Sequence, residues 1–469
     1  MYRSSHSNRR RRRSRSYRSR DRRSYRRDRY GSHRRRHRYD SSPRVYREDG
    51  HRRHERRYSS RDYRRHRRSR SPSDRYSRRR HHHTSRRDRR YSNEYHRKGS
   101  SYRDRGRRRH RSSSKDKYER RSPDEIVHFK WEPGMYLGDY KVVQKIADGT
   151  FGRVLHCEKG GERFAVKVVR DVEKYTSSAK IEVDILKDIQ NVDGNGESHC
   201  VVLRDQFMYK DRIMCLVFEY LGDSLYEFLK RNDYKGFFVA DIQRIAFQML
   251  KGLSFLKKNR LIHTDLKPEN VLLTCGRDEF IEVPFPRSKT GMMTRRPATS
   301  DIKIIDFGST IYDDDYHSTI INTRQYRSPE VILDTGWSYP SDMWSLGCIL
   351  IEIYTGDLLF NTHSHLEHLA MMEQIVGKFP EELLEKARKT EGKAYLHPSK
   401  PELNWPEGAR SKSSEERVKL CRNVMELVRD EHRPFAEFIK YILNPDPDKR
   451  PTPEDAMEHE FLALKLPEN

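Results

Sequence analysis

The first 122 residues contain no alanine, leucine, isoleucine, phenylalanine, tryptophan or cysteine, and Val45 is their only aliphatic residue after Met1. Without apolar surface this segment cannot offset an ordering cost of roughly 1–2 kcal/mol per residue, so it reads as a disordered tail. Nowhere does the chain hold an uncharged apolar run of the ~18 residues a membrane helix needs, and its N-terminus is Arg-rich where a secretory signal is apolar. No membrane association is expected, and the chain reads as intracellular. Cysteine is sparse as well. Cys157, Cys200, Cys215, Cys275, Cys348 and Cys421 include no Cys-x-x-Cys pair, which argues against a disulfide framework or a zinc ribbon and for buried free thiols.

What the tail does hold is charge. Residues 1–122 carry 47 Arg, 3 Lys and 24 Ser against 13 Asp and Glu, a formal charge of +37 that leaves −9 for residues 123–469. Arg runs (Arg9 to Arg13, Arg107 to Arg109) mixed with pairs such as Arg13-Ser14 and Arg70-Ser71 can bind phosphate backbones through counterion release, a non-specific RNA contact. The serines supply a second reading. Each phosphate adds about −1.5 to −2 charges, so modification of most of them would cancel or reverse the tail's charge and make it a controlled docking segment. A solvated linker without a partner is the third reading. Nuclear import fits the first two.

Residues 123–139 read as a linker and 140–464 as a folded domain. Tyr140 to Ile146, Phe151 to Cys157 and Arg163 to Val169 are β-prone runs between Gly-bearing turns, which predicts an antiparallel meander. Ser178 to Ile189 predicts a helix with Ile181, Ile185 and Ile189 on one face and Glu182 beside them. Ile213 to Tyr220 reads as a strand, and Asp241 to Lys257 as an amphipathic helix. Ser341 to Tyr354 is apolar nearly all round, as a helix buried in a core would be. Strands first and helices later predict an α+β fold, with a small β-rich lobe over 140–221 and a larger α-rich lobe over 222–464. A ligand is expected in the cleft between them.

Several groups of residues carry chemistry. Ala147-Asp148-Gly149-Thr150-Phe151-Gly152, followed by Arg153-Val154, is a turn whose glycines let backbone N–H groups approach phosphate oxygens. Fifteen residues after Gly152 comes Lys167, and fifteen further on Glu182; the two can pair, and the paired ammonium can hold phosphates. His263-Thr264-Asp265-Leu266-Lys267-Pro268-Glu269-Asn270 joins a helix to a β-prone run. In it, Asp265 can accept a proton from a hydroxyl, Lys267 can neutralise a moving phosphoryl group, and Asn270 can offer an oxygen to a metal. Asp306-Phe307-Gly308 then places a second metal ligand, a carboxylate, at a strand end, and Ser328-Pro329-Glu330 closes the next loop.

Together these residues resemble a eukaryotic protein kinase across about 140–464. The resemblance implies a bilobal kinase fold that uses ATP and Mg²⁺. It makes Asp265 the catalytic base, Lys267 the phosphate-directed lysine, and Thr323 the brace of that Asp. Asn270 and Asp306 become the metal ligands. Lys167 with Glu182 becomes the ATP-anchoring pair, under a loop formed by Ile146, Ala147, Asp148, Gly149, Thr150, Phe151, Gly152, Arg153 and Val154. Val154, Ala165 and Leu272 match the adenine sandwich, Phe218 the gatekeeper, and Glu219 to Leu221 the hinge. Asp342 matches the anchor of the catalytic loop, and Glu330 with Arg450 the buried pair of the large lobe. Glu367-His368-Leu369-Ala370-Met371-Met372-Glu373 narrows the resemblance to the Cdc-like, or LAMMER, kinases, although Gln374 stands where that signature ends in Arg. That family implies dual specificity and SR splicing factors as Arg/Ser-rich substrates, and the basic tail adds the expectation of a location in nuclear splicing speckles and also in the cytoplasm.

The departures carry expectations of their own. Ala147 replaces the first loop glycine, which should stiffen the turn. Thr264 stands where many kinases have an Arg that grips a phosphorylated activation loop, so activity should not require phosphorylation within Ser309 to Arg327. Asp313, Asp314 and Asp315 are expected beside the substrate groove, where they would attract Arg-rich peptides. The rival reading is a weakly active or inactive scaffold whose tail binds RNA or partner proteins. The complete set of Lys167, Glu182, Asp265, Asn270 and Asp306 argues against it. Nothing in the sequence speaks to oligomeric state.

Overall fold

Side chains alternate across a strand, and that alternation gives the first lobe two working faces. Strands β1 (Tyr136–Leu137), β2 (Tyr140–Asp148), β3 (Gly152–Lys159), β4 (Glu162–Val169), β5 (Leu203–Tyr209) and β6 (Ile213–Glu219) form one antiparallel sheet in the order β1-β2-β3-β4-β6-β5. This computed structural model describes residues 128–466 except 286, 289 and 290; the basic tail and the start of the expected linker lie outside the described residues. On one face Leu155 lies opposite Val166 and Val142 opposite Cys157, and with Val168, Cys215 and Val217 they make a small core. On the other, Val154 lies directly opposite Lys167, and Ala165 opposite Phe218. The expected linker is not all linker. Its Leu137 is fully buried in β1, and its Phe129 and Trp131 pack on the small core, so the glycine loop sits in the second hairpin, between β2 and β3.

Helix α1 (Glu173–Val192) starts five residues before the predicted Ser178 and buries Ala179, Glu182, Val183, Ile185, Leu186 and Ile189. Ile181, expected inward, is 56% exposed. One residue along a helix turns a side chain by about 100°, so the stripe that buries Glu182 carries its neighbour out to solvent.

The second lobe is helical. Helices α2 (Leu225–Arg231) and α3 (Val239–Lys258) come first, and α3 buries Ile242, Ile245, Met249, Leu253 and Leu256 as its periodicity predicts. Short ribbons follow: β7 (Leu261–Ile262) pairs with β12 (Ile311–Tyr312), β8 (Val271–Leu273) with β11 (Ile302–Ile304), and β9 (Phe280–Pro284) with β10 (Met293–Pro297). Beyond α4 (Pro329–Ile332) runs α5 (Pro340–Thr355), in which every residue from Ser341 to Tyr354 is buried. The chain continues as α6 (His365–Ile375), α7 (Glu381–Ala387), α8 (Lys412–Lys419), α9 (Val424–Leu427), α10 (Arg433–Ile442), α11 (Pro453–Met457) and α12 (Glu460–Ala463). The helical pattern near Arg417 to Val428 is two helices, because the Asn423 side chain accepts the Glu426 N–H and starts α9 afresh. All six cysteines are free; five are buried and Cys421 is half-buried.

Candidate active site

Two clusters of charge face each other. In the first, Lys167 on β4 donates to both oxygens of Glu182 at 2.9 Å and to Asp306 Oδ1 at 3.1 Å. The three come from a strand, from the inner stripe of α1 and from the turn after β11. Burial alone would pull the Lys167 ammonium down, but Glu182 and then Asp306 outweigh it and raise its pKa above the ordinary value. Asp306 takes a left-handed φ of 64°, a conformation that Asp tolerates, and its carboxyl lies below its usual range. Burial opposes that shift, while Lys167, then His263 and Lys267, produce it, so Asp306 belongs to both clusters.

The second cluster is built on the loop after β7. Asp342, buried in α5, accepts the backbone N–H groups of His263 at 2.8 Å and Thr264 at 3.0 Å. His263 Nε2 lies 3.0 Å from the Ile305 carbonyl, and Nδ1 accepts the Asp265 N–H at 3.3 Å, so the ring proton is on Nε2. Asp265 Oδ1 accepts from the Thr323 hydroxyl at 2.8 Å and the Thr323 N–H at 3.1 Å, while its Oδ2 accepts from Lys267. Asn270 spends its amide nitrogen on the Asp265 carbonyl at 2.9 Å, which leaves the amide oxygen as the end available to a ligand. Thr264 holds the following segment with its hydroxyl, which donates to the Ser309 carbonyl at 2.7 Å.

This donor set suits a divalent cation carried by phosphates. Asn270 and Asp306 supply hard oxygens, and among the described residues no group of three or more His, Cys, Asp or Glu forms a self-sufficient metal cage. A small cavity lies against the first cluster, lined by Phe151, Lys167, Val169, Tyr175, Ser178, Ala179, Glu182 and Gly308. Part-exposed Val154, Ala165, Phe218 and Leu272 carry apolar surface nearby on β3, β4, β6 and β8, part-exposed Leu221 follows β6, and Ile146 on β2 is exposed. The Glu219 carboxylate accepts the Val202 N–H at 2.8 Å and the Glu219 N–H donates to the Val202 carbonyl at 3.3 Å, which fixes this residue against the segment before β5.

The glycine loop holds two surprises. A Cβ on Gly152 would sit 2.4 Å from the Val168 carbonyl oxygen, so that glycine is required by strand packing whatever it does for phosphate. Asp148 accepts from Lys145 at 2.7 Å and from Arg153 at 2.5 Å, and these bonds hold its pKa down at about 2 against the opposing effect of burial. The side chains of Asp148 and Arg153 are thus turned to each other, while Arg170 donates to the Thr150 carbonyl and Phe151 packs edge-on against Tyr175.

Asp313, Asp314 and Asp315 follow β12. Asp314 pairs with Arg260 at 3.4 Å, Asp315 accepts the Tyr312 N–H at 3.1 Å, and Asp313 accepts from Ser338 at 3.4 Å. None of these contacts is with Asp265 or Lys267. Tyr175 and Ser178 line the cavity although no site role was read for them; the only signal was the run of good helix positions that starts α1 early. Asp223 stands in no sequence motif either. It follows the hinge and anchors Arg231 and Arg277.

A family profile described as Protein kinase domain matches residues 140–462. The chain is 40% identical to the serine/threonine-protein kinase AFC2 of Arabidopsis thaliana over 356 residues, which is 74% of this chain and 82% of the relative. It is 39% identical to the dual specificity protein kinase CLK1 of Homo sapiens over 346 residues, 73% of this chain and 69% of the relative. A crystal structure described as a kinase domain superposes with a TM-score of 0.69 at 48% identity, over 72% of this chain and 100% of that one.

Proposed function

The chain belongs to the protein kinase family, and from that premise we propose that it phosphorylates serine and threonine in Arg/Ser-rich proteins such as SR splicing factors, with tyrosine autophosphorylation and a role in pre-mRNA splicing. Relatives described as serine/threonine and dual specificity kinases support this reading, as does a tail made of the same Arg/Ser sequence as the proposed substrates. Protein kinases use ATP and a divalent metal, and Mg²⁺ is the ion we assign. The tail's basic runs support a nuclear location, at splicing speckles, with a share in the cytoplasm.

The observation that carries the proposal is the convergence of two prepared clusters: Lys167 bonded to Glu182 and Asp306, and Asp265 bonded to Lys267 and Thr323. Asn270 and Asp306 would hold the metal, which when bound neutralises negative charge on the phosphates. Lys167, fixed by Glu182, holds phosphate oxygens. Asp265 takes the proton of the substrate hydroxyl, and the two bonds from Thr323 keep its Oδ1 in one place while it does so. Lys267 balances charge on the transferring group. Val154, Ala165 and Leu272 enclose the base beside Phe218, and the backbone of Glu219 to Leu221 reads its edge.

The test is phosphate transfer from Mg-ATP to an Arg/Ser-repeat peptide and to a Lys/Ala-flanked serine peptide by the full chain, beside Asp306→Asn. The Arg/Ser peptide should be preferred, and the variant should lose at least roughly 10²-fold in kcat, the scale of a removed electrostatic stabiliser. Equal turnover of the two peptides would refute the substrate class. Folded protein that binds ATP and transfers nothing would refute the activity.

A further inference from the structure

Beyond β12 the chain makes an exposed excursion before it returns to Asp265. Residues 314–316 and 318–320 are exposed, Tyr316 by 87% and Ile320 by 58%, and within 314–320 His317 alone is part-buried. Both ends of this stretch are fastened to the catalytic loop. At one end β12 pairs with β7; at the other, the Asn322 N–H and side-chain amide both donate to the Thr264 carbonyl, at 3.0 and 3.1 Å, one residue before Thr323. The middle hangs on His317. Its ring stacks on Trp337, in the loop between α4 and α5, with centroids 4.3 Å apart and planes 16° from parallel. The same loop reaches back, since Trp337 Nε1 donates to the Ser318 carbonyl at 2.8 Å.

The surroundings of the ring select its protonation state. Nδ1 lies 3.1 Å from the Trp337 carbonyl and Nε2 lies 3.2 Å from the Asp313 carbonyl. Carbonyls only accept. A neutral imidazole has a single N–H and sets a bare lone pair against one of these oxygens, whereas the imidazolium donates to both. His263 is the contrast: one of its nitrogens faces a carbonyl and the other an N–H, a pair that the neutral ring satisfies. A cation also gains from lying on the face of an indole. The stretch itself carries Asp313, Asp314 and Asp315, the turn between α3 and β7 carries Arg260, which pairs with Asp314 at 3.4 Å, and the loop of Trp337 carries Asp334 and Tyr339.

We propose that His317 is a positioning residue, which as an imidazolium latches residues 313–318 onto the Trp337 loop and fixes this side of the site before a protein substrate arrives. Unlatched, the stretch has to be ordered by the incoming peptide, which then binds more weakly. The bonds of Lys167 to Glu182 and Asp306 do not involve this stretch, and Asp265 keeps its bonds from Thr323, so ATP binding and the transfer step are left alone.

The experiment uses the full chain with His317→Gln, His317→Arg and Trp337→Phe. The first measurement needs no turnover: chymotryptic cleavage after Tyr316, followed by mass spectrometry and taken as the ratio of variant to wild-type rate, so that the protease's own pH dependence cancels. At about pH 6 His317→Gln should be cut about tenfold faster than wild type, the effect of one charge-assisted hydrogen bond, and the ratio should shrink toward one by about pH 8.5. Arginine stays a cation throughout, stacks on indole and presents several donors, so His317→Arg should be cut as slowly as wild type at the lower pH and remain so at the higher. Trp337→Phe keeps a ring to stack on, loses the bond to Ser318, and should fall between. A ratio near one throughout would overturn the latch, and a raised ratio that ignores pH would overturn its imidazolium form. The second measurement is turnover of the Arg/Ser-repeat peptide, and it rests on the substrate reading above. His317→Gln should raise the peptide KM about 3- to 10-fold with kcat and the KM for ATP within about twofold, and His317→Arg should restore it. A fall in kcat at unchanged peptide KM would overturn the positioning role. If the peptide is not phosphorylated at all, the substrate reading fails while the cleavage ratios still decide the latch.

Discussion

Ala147 shows how residue-scale reading goes astray. A glycine at that position is expected to matter for flexibility, yet Ala147 sits in β2 opposite Val154, and neither it, Gly149 nor Gly152 has a positive φ. Ordinary strand geometry makes no demand for glycine there, so Ala147 does not stiffen a turn. Ala147→Gly should leave the KM for ATP within about twofold and lower stability by roughly 0.5–1 kcal/mol, the usual penalty of glycine inside a strand, read as a fall in Tm. Gly152 is the reverse case, because the Val168 carbonyl leaves no room for a Cβ. The side chains of the two clusters were legible: Lys167, Glu182, Asp265, Asn270 and Asp306 stand out by motif and spacing, and the fold brings them into two touching groups.

At the scale of elements, helices and strands were recovered where the apolar pattern is strong, periodic in α3 and β2 to β4 and continuous in α5. They were displaced where a tertiary partner decides the boundary, as at the start of α1. The signature stretch Glu367 to Glu373 lies in α6, whose Glu367 is buried and accepts two bonds from Arg417, so this family label works as a clamp between α6 and α8. A second clamp ties α4 to the chain before α11. Arg450 and Glu330 are almost wholly buried, bond bidentately at 2.8 and 3.0 Å, and Arg450 also holds the Pro340 and Asn444 carbonyls. Arg450→Ala leaves an uncompensated buried carboxylate and should cost about 3–5 kcal/mol, measured by denaturant unfolding. Removing the exposed Arg433–Glu437 pair on α10 should cost under ~1 kcal/mol in the same assay.

For the whole molecule, charge is divided by sequence region, +37 in residues 1–122 and −9 in the remainder. An excess of acid in the folded part favours Arg-rich partners, and Asp313 to Asp315 are one local source of it. All three carboxylates also have structural duties, with Ser338, Arg260 and the Tyr312 N–H, so their pull on a substrate is weaker than a free triad would exert. Replacing all three with Asn should raise the KM for an Arg/Ser peptide about 3- to 10-fold at low salt, leave a neutral peptide unchanged, and lose its effect near 1 M salt, where the Debye length is about 3 Å. An equal rise for both peptides would mean that the turn, not its charge, was damaged.

Sequence alone determined the two-lobed order of strands before helices, the basic tail's composition, and the identity of the polar residues that meet in the two clusters, since these follow from periodicity, charge and local spacing. Only the tertiary structure decided which face of α1 turns inward, that Asp148 and Arg153 engage each other, and that Asp306 joins both clusters. Each of these is a contact between residues far apart in sequence or a choice among equivalent helix faces. Local patterns carry no information about such contacts, because their energy comes from partners that the fold supplies.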